Sequence, residues 1–213
     1  TEFLYVSSLP AGLGSNDIGL DGRQLGATHI VKFQRVGPKV LMIQPNYSFR
    51  ALSGDADEKR AVDEAFAKSV IWGFKVEAES DGKVLVDATS FFMQDAHGVA
   101  RRLQRANQGN FRVDLMRSAI HLPRTKNFPN NTEIDAILTL TSQNPGMMLR
   151  QVAPDPSAIT VRQHHSFIKL PDDNYKPRIY DPRSNFGSMS YMDFSTPIDQ
   201  PINKRFIPRF RLE

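Results

Sequence analysis

The chain contains no cysteine, which excludes disulfides, thiolate metal sites and a cysteine nucleophile together. It has no apolar run approaching the roughly 20 residues that cross a bilayer as a helix. Its opening, Thr1-Glu2-Phe3-Leu4, carries neither an initiator Met nor a signal peptide, so the chain reads as a piece of something longer. Charge of one sign is also scarce: 27 Lys+Arg against 23 Asp+Glu leave +4 over 213 residues. The sequence pI near 9.4 therefore reflects a weak field, whereas nucleic-acid binding needs basic side chains gathered on one face. The densest basic spots are Arg101-Arg102 with Arg105, and the tail run Lys204, Arg205, Arg209 and Arg211. No nucleic-acid partner is expected. Apolar residues at 40% and a mean hydropathy of −0.40 are low for a globular chain, yet apolar clusters recur and charge is too moderate for wholesale disorder. A chain of this length is one domain, or one with an appendage, and builds a core without a metal or disulfide staple.

What is present divides into three zones. In the first, 1–27, Phe3-Leu4-Tyr5-Val6 reads as a short strand before a loop carrying Gly12, Gly14, Gly19, Gly22 and Gly26. Gly12-Leu13-Gly14 lacks the third glycine and following helix of a dinucleotide fingerprint. In the middle zone, to about 170, β-rich runs flank Gly37-Pro38 and Asp81-Gly82 and predict two hairpins. Asp55 with Glu58 starts a helix whose Ala61, Val62, Ala65, Phe66, Ser69 and Val70 share a face. A second helix is expected from Ala96 to Ala106, capped by Asp95, with Val99, Leu103 and Ala106 as its stripe. Phe111 to Ile120, Thr132 to Leu140, and Ile159 to Phe167 read as strands. The pattern predicts an α+β fold: mainly antiparallel sheet, two inserted helices, and a Pro/aromatic-rich C-terminal arm over 171–213. In that arm six prolines break any periodicity, while seven aromatic rings argue against a solvated linker.

No complete active site is legible. A zinc helix needs His-Glu-x-x-His, and none occurs among His29, His97, His121, His164 and His165. Neighbours on a strand point to opposite faces, so His164 and His165 do not share an ion. Asp87, Asp95 and His97 form the local acid–base candidate, since a carboxylate can orient an imidazole; helix capping by Asp95 competes with that role. Ser7-Ser8 and Ser118 lack the Gly-x-Ser-x-Gly elbow. Asp172-Asp173-Asn174 lacks the rest of a calcium loop, whose twelfth position is Arg183. Trp72 is a candidate for a binding platform or for simple core packing.

Longer strings say more. Phe3-Leu4-Tyr5-Val6-Ser7-Ser8-Leu9-Pro10 and Gly12 to Asp21 open a series that continues through Arg35-Val36-Gly37-Pro38-Lys39-Val40, Val86-Asp87-Ala88-Thr89 and Asp95-Ala96-His97-Gly98-Val99-Ala100. It runs on through Leu122-Pro123-Arg124-Thr125-Lys126, Asn131-Thr132-Glu133, Tyr180-Asp181-Pro182-Arg183-Ser184 and the close from Arg205 to Glu213. The series resembles a domain of unknown function found N-terminal to the metzincin-like catalytic domain of bacterial zinc-dependent metallopeptidases. The resemblance implies that the arginine-rich close is native to the family, which weakens a vector-derived reading of Leu212-Glu213 and leaves both origins open. It implies that the zinc helix lies beyond Glu213, so no catalytic, metal or cofactor residue is transferred to this chain, and zinc is expected in the absent domain. It further implies a periplasmic or cell-surface parent, with the downstream peptidase domain as partner and peptides as the parent's substrates. The arm would dock the two domains, with Tyr180, Arg183, Tyr191, Phe206, Arg209 and Phe210 as interface candidates. The alternatives are a stand-alone peptide- or glycan-binding module using Trp72 and the tail aromatics, or a small hydrolase using Asp95 and His97.

Overall fold

The computed structural model describes residues 1–14, 17–172 and 174–209; Asp173, Phe210, Arg211 and Leu212-Glu213 lie outside them. In chain order the strands are β1 (Glu2–Ala11), β2 (Gln24–Val36), β3 (Lys39–Gln44), β4 (Phe49–Arg50), β5 (Ser69–Ser80), β6 (Lys83–Val86) and β7 (Arg112–Val113). They continue with β8 (Ala119–Ile120), β9 (Lys126–Asn127), β10 (Asn131–Thr141), β11 (Ala158–Lys169), β12 (Arg178–Ile179), β13 (Met189–Asp193) and β14 (Asn203–Ile207). The α-helices are α1 (Ala56–Ala65), α2 (Thr89–Phe92), α3 (Val99–Arg105) and α4 (Met147–Val152). This is the α+β, mainly antiparallel fold that the hydropathy pattern predicts.

Two compact units divide the chain: Thr1–Met42 with Trp72–Leu170, and Ile43–Ile71 with Pro171–Glu213. The first is built on a sheet of order β6-β5-β3-β2-β1-β11-β10-β7, with β8 and β9 also paired to β10. Strict alternation on β10 sends Ile134, Ala136, Leu138 and Leu140 to one face, where all four are buried. Ala136, Leu138 and Leu140 cluster there with the opposing Ile159 and Val161 of β11, and Val99 and Leu103 of α3, Leu149 of α4, Leu9, Ile18, Leu20, Met93 and Phe111 complete the cluster. Further along the sheet an aromatic group takes over: Phe91 of α2 is fully buried, with Tyr5, Phe74 and Trp72 ring centroids 5.5, 5.6 and 5.7 Å away. Edge-on and tilted contacts at these separations suit the ring quadrupoles.

Both hairpins form where expected, and Asp81 and Gly82 both take positive φ, 51° and 71°, as the turn between twisted strands requires. The strand near the N-terminus runs on to Ala11, and the loop after it doubles back so tightly that a Cβ on Gly12 would stand 1.9 Å from the Leu20 carbonyl oxygen. Only glycine permits that approach.

Three local expectations are corrected. Phe111 to Ile120 is not one strand: Asp114 accepts from the Met116 N–H (3.0 Å) and turns the chain through a 3₁₀ segment, leaving only β7 and β8. Helices α2 and α4 add to the two expected, because each is too short to show a hydropathy period. In α1 Asp55 caps as expected, accepting from Asp57 and Glu58 N–H. However, Ser69 and Val70 belong to β5, and no α1 residue is buried; Ala61, Val62 and Ala65 instead line an open apolar groove of about 310 Å³ with Phe66 and Phe194.

The second unit also alters the expectation for the tail. Its residues do not run as an extended arm but supply three strands of a four-stranded sheet, order β12-β14-β13-β4. Residues 43–71 belong with them, because β4 pairs in parallel with β13 and the rings of Phe49, Phe66 and Phe194 pack together, Phe49 on Phe66 at 3.8 Å between centroids. Asp193 fixes the junction by accepting from the Leu52 N–H and from the Ser195 hydroxyl (3.2 and 2.6 Å).

Leu138→Ala is expected to destabilise the chain by about 2–5 kcal/mol, the range for emptying a packed leucine site. Val62→Ala, in the open α1 groove, should cost under about 1 kcal/mol. Urea unfolding of both variants compares them directly.

Candidate functional site

The pair β10–β11 carries polar groups on both faces, since Asp135 lies opposite His164 and Ile134 opposite His165. The adjacent histidines point apart, as strand geometry demands. On the inner face Gln163 and His165 are fully buried. The Gln163 carboxamide is oriented by backbone: Oε1 accepts from the His97 N–H (2.9 Å), and Nε2 donates to the Gln94 carbonyl (2.9 Å). Its second N–H faces His165 Nε2 at 2.9 Å, so that nitrogen accepts and Nδ1 carries the proton, donating to the Tyr5 hydroxyl at 2.9 Å. Burial pushes the His165 pKa down to about 4, outweighing the Phe92 carbonyl that favours its charged form. Burial likewise raises the Tyr5 hydroxyl above its ordinary value. Both groups are neutral in the physiological range and serve as polar parts of the core.

On the outer face Glu133 accepts from three side chains. Asn131 Nδ2 donates to Oε1 (2.7 Å), while Ser166 Oγ (2.5 Å) and His164 Nε2 (2.7 Å) both reach Oε2. Burial alone would raise its pKa, but the bonds from Ser166, Asn131 and His164 outweigh it and hold the carboxyl below its usual range. A serine and a histidine that both spend their contacts on one carboxylate are not bonded to each other, so no nucleophile–base pair is formed. Beside them Asp135, with no exposed side-chain surface, takes Arg162 Nη2 on Oδ2 at 2.5 Å; its Oδ1 is buried without a partner among the described residues. Glu133, Asp135 and His164 lie along a cavity of about 480 Å³ whose walls include Leu25, Pro123 and Phe128.

The predicted acid–base candidates resolve differently. Asp95 Oδ1 accepts from Gly98 and Val99 N–H (2.9 and 2.8 Å), and Oδ2 from Ala100 N–H (2.8 Å). Both oxygens thus face the first turn of α3, and capping takes the carboxylate that would have oriented His97. His97 makes no side-chain bond to Asp95; burial lowers its pKa against the opposing pull of the Asp95 charge. Trp72 is half-buried and packs edge-on against the buried Phe91. Among the described residues no group of three or more His, Asp or Glu side chains is placed to hold a metal ion.

The interface candidates among the described residues fall in the second unit but do not form one patch. Cross-strand register puts Ile179, Met189, Tyr191 and Phe206 on one face of its sheet. There Tyr191 and Phe206 stack at 5.7 Å, and the Arg50 guanidinium lies 4.2 Å from the Tyr191 centroid. Tyr180 stands on the opposite face beneath Arg205, at 4.1 Å. Arg183 is spent within its own turn, donating from Nε and Nη2 to Asp181 (3.0 and 2.7 Å). Arg209 sits over Tyr175 at 5.5 Å, and Phe210 lies outside the described residues.

A family model described as "Domain of unknown function (DUF5117)" matches residues 22–213. The chain belongs to this family. No curated protein and no solved structure matches it. The DUF5117 match starts at Gly22, after the opening strings Phe3 to Pro10 and Gly12 to Asp21. Within the DUF5117 chain, Glu133, Asp135, Arg162 and Ser166 were invisible as a set, because only the register of β10 against β11 brings them together. The available signal was the alternation of β10, which places its acids opposite its aliphatic residues.

Two stability outcomes follow from these contacts. The folded His165 pKa lies below the ordinary 6.5, so its contribution is complete above about pH 6.5 and is lost as pH falls toward 4. The unfolding free energy should drop across that window by something on the order of 3 kcal/mol, measured by urea titration at successive pH values. Asp95→Ala should lower stability by about 0.5–2 kcal/mol through loss of the cap, read as a fall in Tm.

Proposed function

We propose that this DUF5117 domain is a non-catalytic N-terminal flank of a bacterial zinc-dependent metallopeptidase, packing against the catalytic domain and shaping its substrate cleft. The observation that carries the reading is the bare face of the four-stranded sheet. Ile179 and Met189 are 77% and 66% exposed there, beside the Arg50–Tyr191–Phe206 stack. Aromatic, methionine and arginine side chains are enriched where proteins bury surface against each other. Further support comes from Asp95 and Glu133, each of which accepts three hydrogen bonds from groups of this chain that compete with a substrate proton. The resemblance to the flank of such peptidases supplies the occupant of the face.

In this arrangement zinc and the hydrolytic groups belong to the downstream domain of the same polypeptide, and the parent acts in the periplasm or at the cell surface. Among the described residues no helix is long and apolar enough to cross a membrane.

The test uses the chain and the separately produced catalytic domain of its parent. The chain alone should leave casein and peptide libraries uncut with or without zinc, and should bind the catalytic domain. Ile179→Asp with Met189→Asp should weaken that binding by about tenfold or more, equivalent to roughly 1.4 kcal/mol, while Tm stays nearly constant because both side chains are exposed. Zinc-dependent cleavage by the chain alone would overturn the reading, as would unchanged binding by the double variant. Specific hits on a glycan or peptide array that survive the double substitution would favour the binding-module alternative.

A further inference from the structure

One cavity of the first unit is lined by three arginines. Arg101, Arg102 and Arg105 of α3 share a space of about 330 Å³ with Gln24 and His97. Residues four apart stand one above the other on a helix, so Arg101 and Arg105 form one column with Arg102 beside it. None of the three is ion-paired with a carboxylate among the described residues. The nearest acid in sequence, Asp95, is turned onto the α3 backbone and offers them no counter-charge.

One of the guanidinium groups is also fixed in place. Arg102 Nε donates to the Ile18 carbonyl at 2.8 Å, which fixes the plane of that group. Its Nη2 lies against Gly19, where a Cβ would stand 2.3 Å away; Arg101 Nη2 lies over Gly98, where a Cβ would stand 3.1 Å away. Two side-chain-free positions thus make room for two forks beside the cavity. Three guanidinium groups unpaired with carboxylates among the described residues, one of them held by a backbone carbonyl, and a concavity of small-molecule size form a coherent set.

We propose that this cavity binds the phosphoryl group of a small phosphate-bearing molecule, with Arg101 and Arg105 as principal donors and Arg102 as the fixed one. Guanidinium forks match phosphate oxygens in pairs, which gives geometry as well as charge. The site is independent of the flanking function, since it uses no residue of the four-stranded sheet, and either can fail without the other.

The test is calorimetric titration of the 213-residue chain with inorganic pyrophosphate and with glycerol 3-phosphate at low salt, with citrate as a carboxylate of comparable charge. One saturable site is expected for the phosphates, weakened by about tenfold or more in Arg101→Ala/Arg105→Ala. The lysine pair Arg101→Lys/Arg105→Lys should restore part of the affinity. An unchanged Tm keeps loss of folding apart from loss of the site, and Arg112→Ala, on β7, should bind as the unsubstituted chain does. Absence of saturation, unaltered affinity in the double alanine variant, equal loss in Arg112→Ala, or citrate binding as tightly as pyrophosphate would each overturn the proposal.

Discussion

The fully buried carboxamide of Gln163 ties the central strand pair to the helices that cover it. It receives the His97 N–H, holds the Gln94 carbonyl and faces the ring of His165. A polar group this deep costs free energy unless each donor and acceptor is met. Meeting them dictates where residues 94–97 run, and therefore where α3 begins. The cap by Asp95 is set by the same segment, and α3 in turn delivers Val99 and Leu103 to the core and three arginines to the surface. One amide thus fixes the positions of an apolar cluster and a basic cavity together.

The outer face of the same pair follows a different rule. Glu133 gathers three donors, whereas Asp135 is buried with one oxygen on Arg162 and the other unmet among the described residues. Buried ion pairs seldom add much net stability, because desolvation consumes the Coulombic gain. Their effect here is specificity of register. A slip of β10 by one residue would turn Glu133 and Asp135 into the aliphatic layer and away from His164 and Arg162.

The fold class was legible because long strands advertise themselves: β10 alternates cleanly, and Asp81-Gly82 and Gly37-Pro38 mark their turns. Helix α3 was legible through Asp95 and its stripe. The 3₁₀ segment after Asp114 was not, since a side-chain bond of aspartate to backbone overrides the apolar run from Phe111. The tail was misread for a related reason. Its prolines do break periodicity, but β12, β13 and β14 are only two to five residues long and fit between them. Their partner β4 lies far away in sequence, beyond the reach of any local pattern. The chemical candidates were limited likewise: Asp95 and His97 are neighbours in sequence, whereas the groups that meet in space come from different strands.

The discontinuity of the second unit has a consequence for biosynthesis. Leu52 and Ser195, which share a hydrogen bond, are 143 residues apart. At a ribosomal rate of about 5–20 residues per second, the early segment waits roughly 7–30 s for the strands that cover it. During that interval Phe49 and Phe66 stand beside a nascent chain with their packing partner Phe194 not yet made. The acids and bases of α1, a helix with no buried residue, are the charged part of this waiting stretch and give it polar surface beside those two rings.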